Sequence, residues 1–220
     1  MYFYGMARIS RKERYKRLIS YFSEVMPDAG TELEYRKPYE LIVAVLLSAQ
    51  CTDKRVNMIT PDFFKRFPDP ESLAAARQQE VLELIRSCSY PNSKSKHLIG
   101  MANVLVNEFH NQVPADVDEL QKLPGIGRKS ANVIAAVIHS MPVMPVDTHV
   151  FRVSARIGLT IKARSPLQAE KQLVANLPEY LIPRAHHWLI LHGRYTCTAR
   201  KPRCHECGLR SFCKHYNDNQ

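Results

Sequence analysis

Leu123 to Asp147, LPGIGRKSANVIAAVIHSMPVMPVD, constrains this chain more than any other stretch. A Pro-Gly-x-Gly turn stands between two helical patterns. Lys129 follows closely after the second glycine, and Asp147 comes beyond the second helix. Gly125 and Gly127 make positive φ cheap and let backbone amides approach an anion with no Cβ in the way. The helix that begins near Arg128 adds unpaired N–H groups and the positive end of its dipole, which suits a phosphate. Asp116 and Glu119, a D-x-x-E pair, open the preceding helix as a capping box. The stretch reads as helix, hairpin, helix, with a phosphate grip at the turn and Lys129 beside it.

The rest of the chain carries helical periods, and no apolar–polar alternation runs beyond a few residues, so the fold class is all-α. Arg8 to Arg17 holds basic residues in front of Tyr15, Leu18, Ile19 and Phe22, an amphipathic helix with a solvated basic face. Pro27 to Gly30 ends it. Pro38 suits a first helical turn, and the apolar run from Tyr39 to Gln50 reads as a buried helix with polar Gln50 leaving the core at its end. Asp53 reads as the N-cap of the next helix. Helical patterns continue over 53–66, 70–87 and 94–109, punctuated by Pro61, Phe67-Pro68 and Ser89 to Asn92. After Asp147 a helix places Val150, Phe151 and Val153 in the core, another covers 166–176, and His187 to Tyr195 leads into the cysteines. Trp188 reads as core, and His186, His187 and His192 as packing or hydrogen-bonding groups.

Charge bears on the partner. There are 31 Lys+Arg against 21 Asp+Glu, a net charge of +10, which favours a polyanion, and nucleic acid is the commonest. The opening MYFYGMARIS has neither a basic n-region nor a following apolar stretch, so no secretory signal is read there. Residues 1–5 read as a ragged start, with Met6 an equally natural initiator. The longest apolar run, Leu41 to Leu47, is far short of the ~20 residues that span a bilayer, so an intracellular protein with no membrane contact is expected.

The cysteines are unevenly spread. Cys51 and Cys88 stand alone, while Cys197, Cys204, Cys207 and Cys213 crowd together in a C-x6-C-x2-C-x5-C pattern. A disulfide framework would be distributed more evenly, so metal binding is the better reading. Four thiolates suit tetrahedral zinc or a [4Fe–4S] cluster, and spacing leaves both open. Arg200, Lys201 and Arg203 lie between the first two of these cysteines, where a loop held rigid by its ligands would present cations to phosphates.

LPGIGRKSAN, followed in order and spacing by PVDTHVFRV at Pro145 to Val153, resembles the helix-hairpin-helix/Gly-Pro-Asp superfamily of DNA repair glycosylases. Within it the chain resembles the endonuclease III family of bifunctional DNA glycosylases and abasic-site lyases, through LLSAQCTD at Leu46 to Asp53 and HGRYTC and KPRC around the cysteines. The resemblance implies that Lys129 attacks C1′ of a flipped-out nucleotide, forms a Schiff base and cuts the strand by β-elimination. It implies that Asp147 stabilises charge developing on the sugar and shuttles protons. Gln50 would fill the gap left in the stack. Tyr90 would be the opposing wedge, although Ser89-Tyr90-Pro91 departs from the glycine and bulky apolar residue of close relatives. Gly125, Gly127 and Arg128 would grip the backbone, as would Arg200, Lys201 and Arg203, and Lys94 and Lys96 would meet phosphates.

The four clustered cysteines would hold a [4Fe–4S] cluster that anchors DNA. A six-helix domain would cover 31–141, and residues 1–30 and 142–220 would form the cluster domain. A DNA-binding cleft would separate them, with Lys129 and Asp147 on opposite walls. The expected substrate is double-stranded DNA with an oxidised pyrimidine or an abasic site, acted on by a monomer located with the DNA (cytoplasm or nucleoid if bacterial). Two rivals fit less well. A monofunctional adenine-DNA glycosylase would carry glutamate at the place of Val45 and no lysine at 129, and a non-catalytic DNA-binding module would need neither Lys129 nor Asp147.

Overall fold

Short polar side chains and prolines set the helix starts. Ser10, Thr52, Asp69, Asp116, Asp147 and Ser165 each accept a backbone N–H bond from the first turn that follows. Pro38, Pro70, Pro91 and Pro166 occupy first helical positions, where a missing N–H costs nothing. The computed structural model describes residues 9–219, so Arg8 and the segment 1–5 lie outside the described residues. Among the described residues the chain is helical with no strand, as its periodicity indicates. No helix among them is long and apolar enough to cross a membrane.

The chain divides into two compact units, Thr31–Met141 and Met1–Gly30 with Pro142–Gln220. The first holds α2 (Pro38–Ser48), α3 (Asp53–Arg66), α4 (Pro70–Ala74), α5 (Gln78–Ile85), α6 (Pro91–Phe109), α7 (Val117–Leu120) and α8 (Arg128–His139). In α2 every residue from Tyr39 to Leu47 is buried, and α3, α6 and α8 pack around it.

Several local expectations are corrected. The pattern over 70–87 is two helices, because on one continuous helix Leu73 and Ile85 would point about 120° apart; the break at Ala75 to Arg77 lets Leu73, Val81 and Ile85 all reach the core. Pro61 does not interrupt α3 but lies inside it, where Val56, Ile59, Thr60 and Phe63 bury the opposite face. Thr52, not Asp53, is the cap of α3, and Asp53 takes the first helical position, where its charge meets the dipole. The box at α7 is one-sided: Asp116 Oδ1 accepts from the Asp118 and Glu119 amides at 2.9 and 3.0 Å, with no return bond from the Glu119 side chain.

The second unit is built from both ends of the described chain. It comprises α1 (Arg11–Val25), α9 (Thr148–Ile157), α10 (Pro166–Val174), α11 (Ile182–Tyr195) and α12 (Lys214–Asp218), with short 3₁₀ turns at Glu179–Leu181 and Cys204–Glu206. Tyr15, Leu18 and Phe22 of α1 enter one core with Val150, Val153, Ile157, Trp188, Leu209 and Phe212. Trp188 is fully buried, stacks on Phe22 at 5.7 Å between ring centres, and donates its indole N–H to the Met26 carbonyl at 2.8 Å. Phe151 lies at the edge of this core, only partly buried. The basic face of α1 is not wholly solvated. Arg14 is buried, and its guanidinium donates to the Ile157 carbonyl at 3.1 Å and to the Phe212 carbonyl. These carbonyls terminate structure far away in sequence, which no local pattern could announce.

Candidate active site

The hairpin is pinned from below. Leu123 and Ile126 are buried on either side of the turn, and the Ile126 amide donates to the Leu123 carbonyl at 3.0 Å. Gly125 has φ +83°, and a Cβ there would stand 2.8 Å from His97 Cβ, so glycine is obligatory. Gly127 differs. Its φ of −90° suits any residue, and no atom lies within 4 Å of where its Cβ would be. As the N-cap of α8 it has no side chain to satisfy the first-turn amides, which stay available to an outside acceptor. Arg128 and Lys129 follow as exposed residues at the start of a helix whose next residues, Ala131 to Ala136, are buried all round. A buried middle fixes the helix and leaves its basic N-terminal turn open to an anion.

Gln50 and Tyr90 sit on two neighbouring loops, both in the left-handed region at φ 53°. Gln50 lies just beyond the C-terminus of α2 and is exposed, and Tyr90 caps α6 with 64% of its surface exposed. The Ser89 hydroxyl donates to the Gln50 carbonyl at 2.7 Å and joins the loops. Lys94 is not the phosphate contact expected of it. It is 5% exposed, and its ammonium donates to the carbonyls of Leu47 at 2.7 Å and Ala49 at 2.8 Å and to Ser89 Oγ at 3.2 Å. The reason is that α2 ends with carbonyls that have no intrahelical donor, and the lysine supplies one. Lys96 remains exposed. Cys51 and Cys88, isolated in sequence, also meet here, with sulfurs 3.9 Å apart.

Asp147 is the N-cap of α9. Its Oδ1 accepts from the amides of His149 and Val150, each at 2.8 Å, while Oδ2 lies 3.3 Å from His149 Nδ1. The side chain is 19% exposed, so the carboxylate is held in one orientation and keeps acceptor capacity on Oδ2. At the other end of α9, arginines that sequence reasoning missed hold the start of the cysteine loop. Arg152 donates to the carbonyls of Gly193 and Cys197 at 2.9 and 3.2 Å. Arg156 donates to those of Thr198 and Ala199 at 2.7 and 2.8 Å, with Nη1 3.5 Å from Cys197 Sγ. Their spacing of one helical turn was a readable signal, but its target was not.

All four clustered cysteines line one pocket, with Ile157, Leu209 and His192 among its walls. His192 Nε2 stands 3.7 Å from Cys207 Sγ. Burial pushes the thiols of Cys207 and Cys213 up, so their thiolates call for a compensating positive charge. Among the described residues no group of three or more His, Cys, Asp or Glu converges tightly enough for a single metal ion. Four soft donors standing round a partly apolar pocket fit a polynuclear iron–sulfur cluster. Outside the pocket the loop closes on itself, with Thr198 Oγ1 donating to the Lys201 carbonyl at 2.7 Å and the Arg203 amide to the Thr196 carbonyl at 2.9 Å. Arg200, Lys201 and Arg203 are exposed on it.

Residues 43–179 match the HhH-GPD superfamily of base excision DNA repair proteins, and residues 197–213, a segment that begins and ends on cysteine, match the iron–sulfur binding domain of endonuclease III. The Endonuclease III of Rickettsia felis is 43% identical over 201 residues, covering 91% of this chain and 94% of that protein. The chain belongs to the endonuclease III family. Endonuclease III of Escherichia coli is 37% identical over 198 residues, 90% of this chain and 93% of that protein. A solved structure of a trapped endonuclease III–DNA covalent intermediate superposes with a TM-score of 0.89 at 38% identity, covering 94% of this chain and 98% of that one. Endonuclease III membership also decides between zinc and iron: the cofactor is a [4Fe–4S] cluster.

Proposed function

We propose that Lys129 is the nucleophile and Asp147 the charge-stabilising carboxylate of this enzyme, with oxidised pyrimidines in duplex DNA as its substrates. The activity is that of a DNA glycosylase/AP lyase of base excision repair. The observation that carries the residue assignment is the open N-terminal turn of α8, where Gly127, Arg128 and Lys129 are exposed ahead of a buried helix middle. Its amides and Arg128 hold a backbone phosphate, which brings the Lys129 amine to the sugar of a flipped nucleotide.

The amine attacks C1′ and the base departs with its bonding electrons, taking up a proton. The nitrogen lone pair then expels the ring oxygen from C1′, the oxygen takes up a proton as a hydroxyl, and an iminium is left between C1′ and Nζ. Loss of a C2′ proton then expels the 3′ phosphate, and water returns the free amine. Asp147 stabilises positive charge on the sugar and accepts or returns protons through Oδ2, the oxygen not committed to both helix amides. Gln50 and Tyr90 fill the space vacated in the duplex, and the Lys94 and Ser89 bonds keep the two loops together while they do so. Cys197, Cys204, Cys207 and Cys213 hold the [4Fe–4S] cluster, whose iron charge and fixed ligands order the loop that presents Arg200, Lys201 and Arg203 to phosphates. The protein acts as a monomer inside the cell, on DNA.

The rival readings lack support: Val45 offers no carboxylate, and a purely binding module needs neither Lys129 nor Asp147. The test is excision from duplexes carrying an oxidised pyrimidine. Wild type releases the base and nicks the strand, Lys129→Gln does neither, and Asp147→Asn is slowed by orders of magnitude. Absence of cleavage by wild type at every enzyme concentration would reduce the protein to a binding module.

A further inference from the structure

Two thiols outside the cluster lie where the DNA-inserting loops join the helices. Cys51 directly follows Gln50, and Cys88 comes just before Ser89 and Tyr90. Their sulfurs are 3.9 Å apart although 37 positions separate them in the chain. Each is fixed by its backbone, the Cys51 amide donating to the Ser48 carbonyl at 3.0 Å and the Cys88 amide to the Ile85 carbonyl at 2.8 Å. Cys51 is half-buried and reachable, whereas Cys88 is 5% exposed.

We infer that Cys51 and Cys88 form a thiol–disulfide modification site whose closure restrains the loops bearing Gln50 and Tyr90. A disulfide needs its sulfurs about 2.05 Å apart, so closure takes a further approach of roughly 2 Å between atoms already in van der Waals contact. The co-reactant is a low-molecular-weight disulfide such as oxidised glutathione. The Cys51 thiolate, being accessible, attacks one of its sulfurs, forms a mixed disulfide and releases one thiol. The Cys88 sulfur, having lost its proton to solvent, then attacks the Cys51 sulfur and expels the second thiol. The protein loses two electrons and two protons, and the small disulfide is reduced to two thiols. Burial and the neighbouring Cys51 push the Cys88 thiol up to about 11, with the Lys94 ammonium partly opposing them, so Cys88 suits the resolving step better than the first attack. In a reducing interior the bond is transient and forms under oxidative load.

The effect on excision rests on the reading of Gln50 and Tyr90 as gap-filling residues; formation of the bond does not. Cluster-loaded protein is incubated in glutathione buffers of increasing oxidised fraction, quenched with an alkylating reagent and mapped by mass spectrometry, while visible absorbance follows the cluster. The expected result is one cross-link between the Cys51 and Cys88 peptides with the cluster retained. Excision from a damaged duplex falls roughly tenfold or more as the loops lose their freedom to fit the gap, and a thiol reductant restores it. Cys51→Ser and Cys88→Ala, each tested separately, remain active and insensitive. A glutathione adduct that stays on Cys51, or no reaction at all, overturns the site; a cross-link that leaves excision unchanged overturns the control. If the reduced protein excises nothing, the proposed activity fails while the cross-link result still stands by itself.

Discussion

At the residue scale, Gly127 separates what the chain needs from what its partner needs. Gly125 is forced by its own φ and by His97, but nothing in the protein crowds Gly127. The proposed occupant of the space beside it is a DNA backbone phosphate. Gly127→Ala should therefore change stability by less than about 1 kcal/mol, a small capping loss. Affinity for an abasic-site duplex should fall about tenfold, or 1.4 kcal/mol. Thermal melting and DNA titration measure the two separately. A large melting loss with unchanged affinity would mean that Gly127 serves only the fold. Asp147 shows the opposite economy, since one carboxylate both caps α9 and stands as the proposed charge stabiliser.

At the element scale, α9 connects the two chemistries of its unit. Its first turn orients Asp147, and Arg152 and Arg156 from its later turns fasten the loop that begins at Cys197. The α2 terminus is organised differently, through the buried ammonium of Lys94. Lys94→Met leaves the buried Leu47 carbonyl without its donor, which should cost about 2 kcal/mol. That corresponds to a melting temperature lower by about 4–8 °C. Excision should fall further than affinity for undamaged DNA, because the loops proposed to fill the gap lose one of their ties. The cysteine loop makes a salt prediction. Arg200→Ala or Lys201→Ala should weaken binding to all sequences and lower the salt slope by about 0.9 for each phosphate no longer neutralised, with base choice unchanged. DNA titrations over a range of salt check it, and a shift in lesion preference at constant slope would refute the role of these cations as anchors.

Helix starts were legible where prolines act locally, as Pro38 and Pro166 do at the starts of α2 and α10, whereas the cap of α3 read one residue late, at Asp53 instead of Thr52. The role of Lys94 was not legible, because its carbonyl acceptors lie 45 and 47 positions away. Arg14 likewise reads as one more solvated cation until the Ile157 and Phe212 carbonyls are brought to it by folding. The hairpin and the cysteine loop stood out for a different reason, since neither Gly127 nor the clustering of four cysteines is called for by side-chain packing.

At the scale of the whole molecule, one unit is built from both ends of the described chain, so its core and cluster loop stand or fall together. His187 reports on that core. Burial, and then the charge of Arg194, push its imidazole down to about 4 from an ordinary 6.5. The folded protein thus binds this proton less readily than the unfolded chain. The stability involved is fully present above pH 6.5 and is lost as pH falls towards 4, at up to about 1.4 kcal/mol per pH unit. Urea midpoints should drop across that window and drop less in His187→Gln; equal slopes in both proteins would place the acid lability elsewhere.

The proposed chemistry turns on one amine. Wild-type protein is mixed with a duplex containing a single abasic site, reduced with borohydride, and the covalent product is digested and mapped. The predicted result is an adduct on Lys129 and no trapped product from Lys129→Gln at matched DNA occupancy. An adduct on another amine, or full trapping by the Lys129→Gln protein, would contradict it.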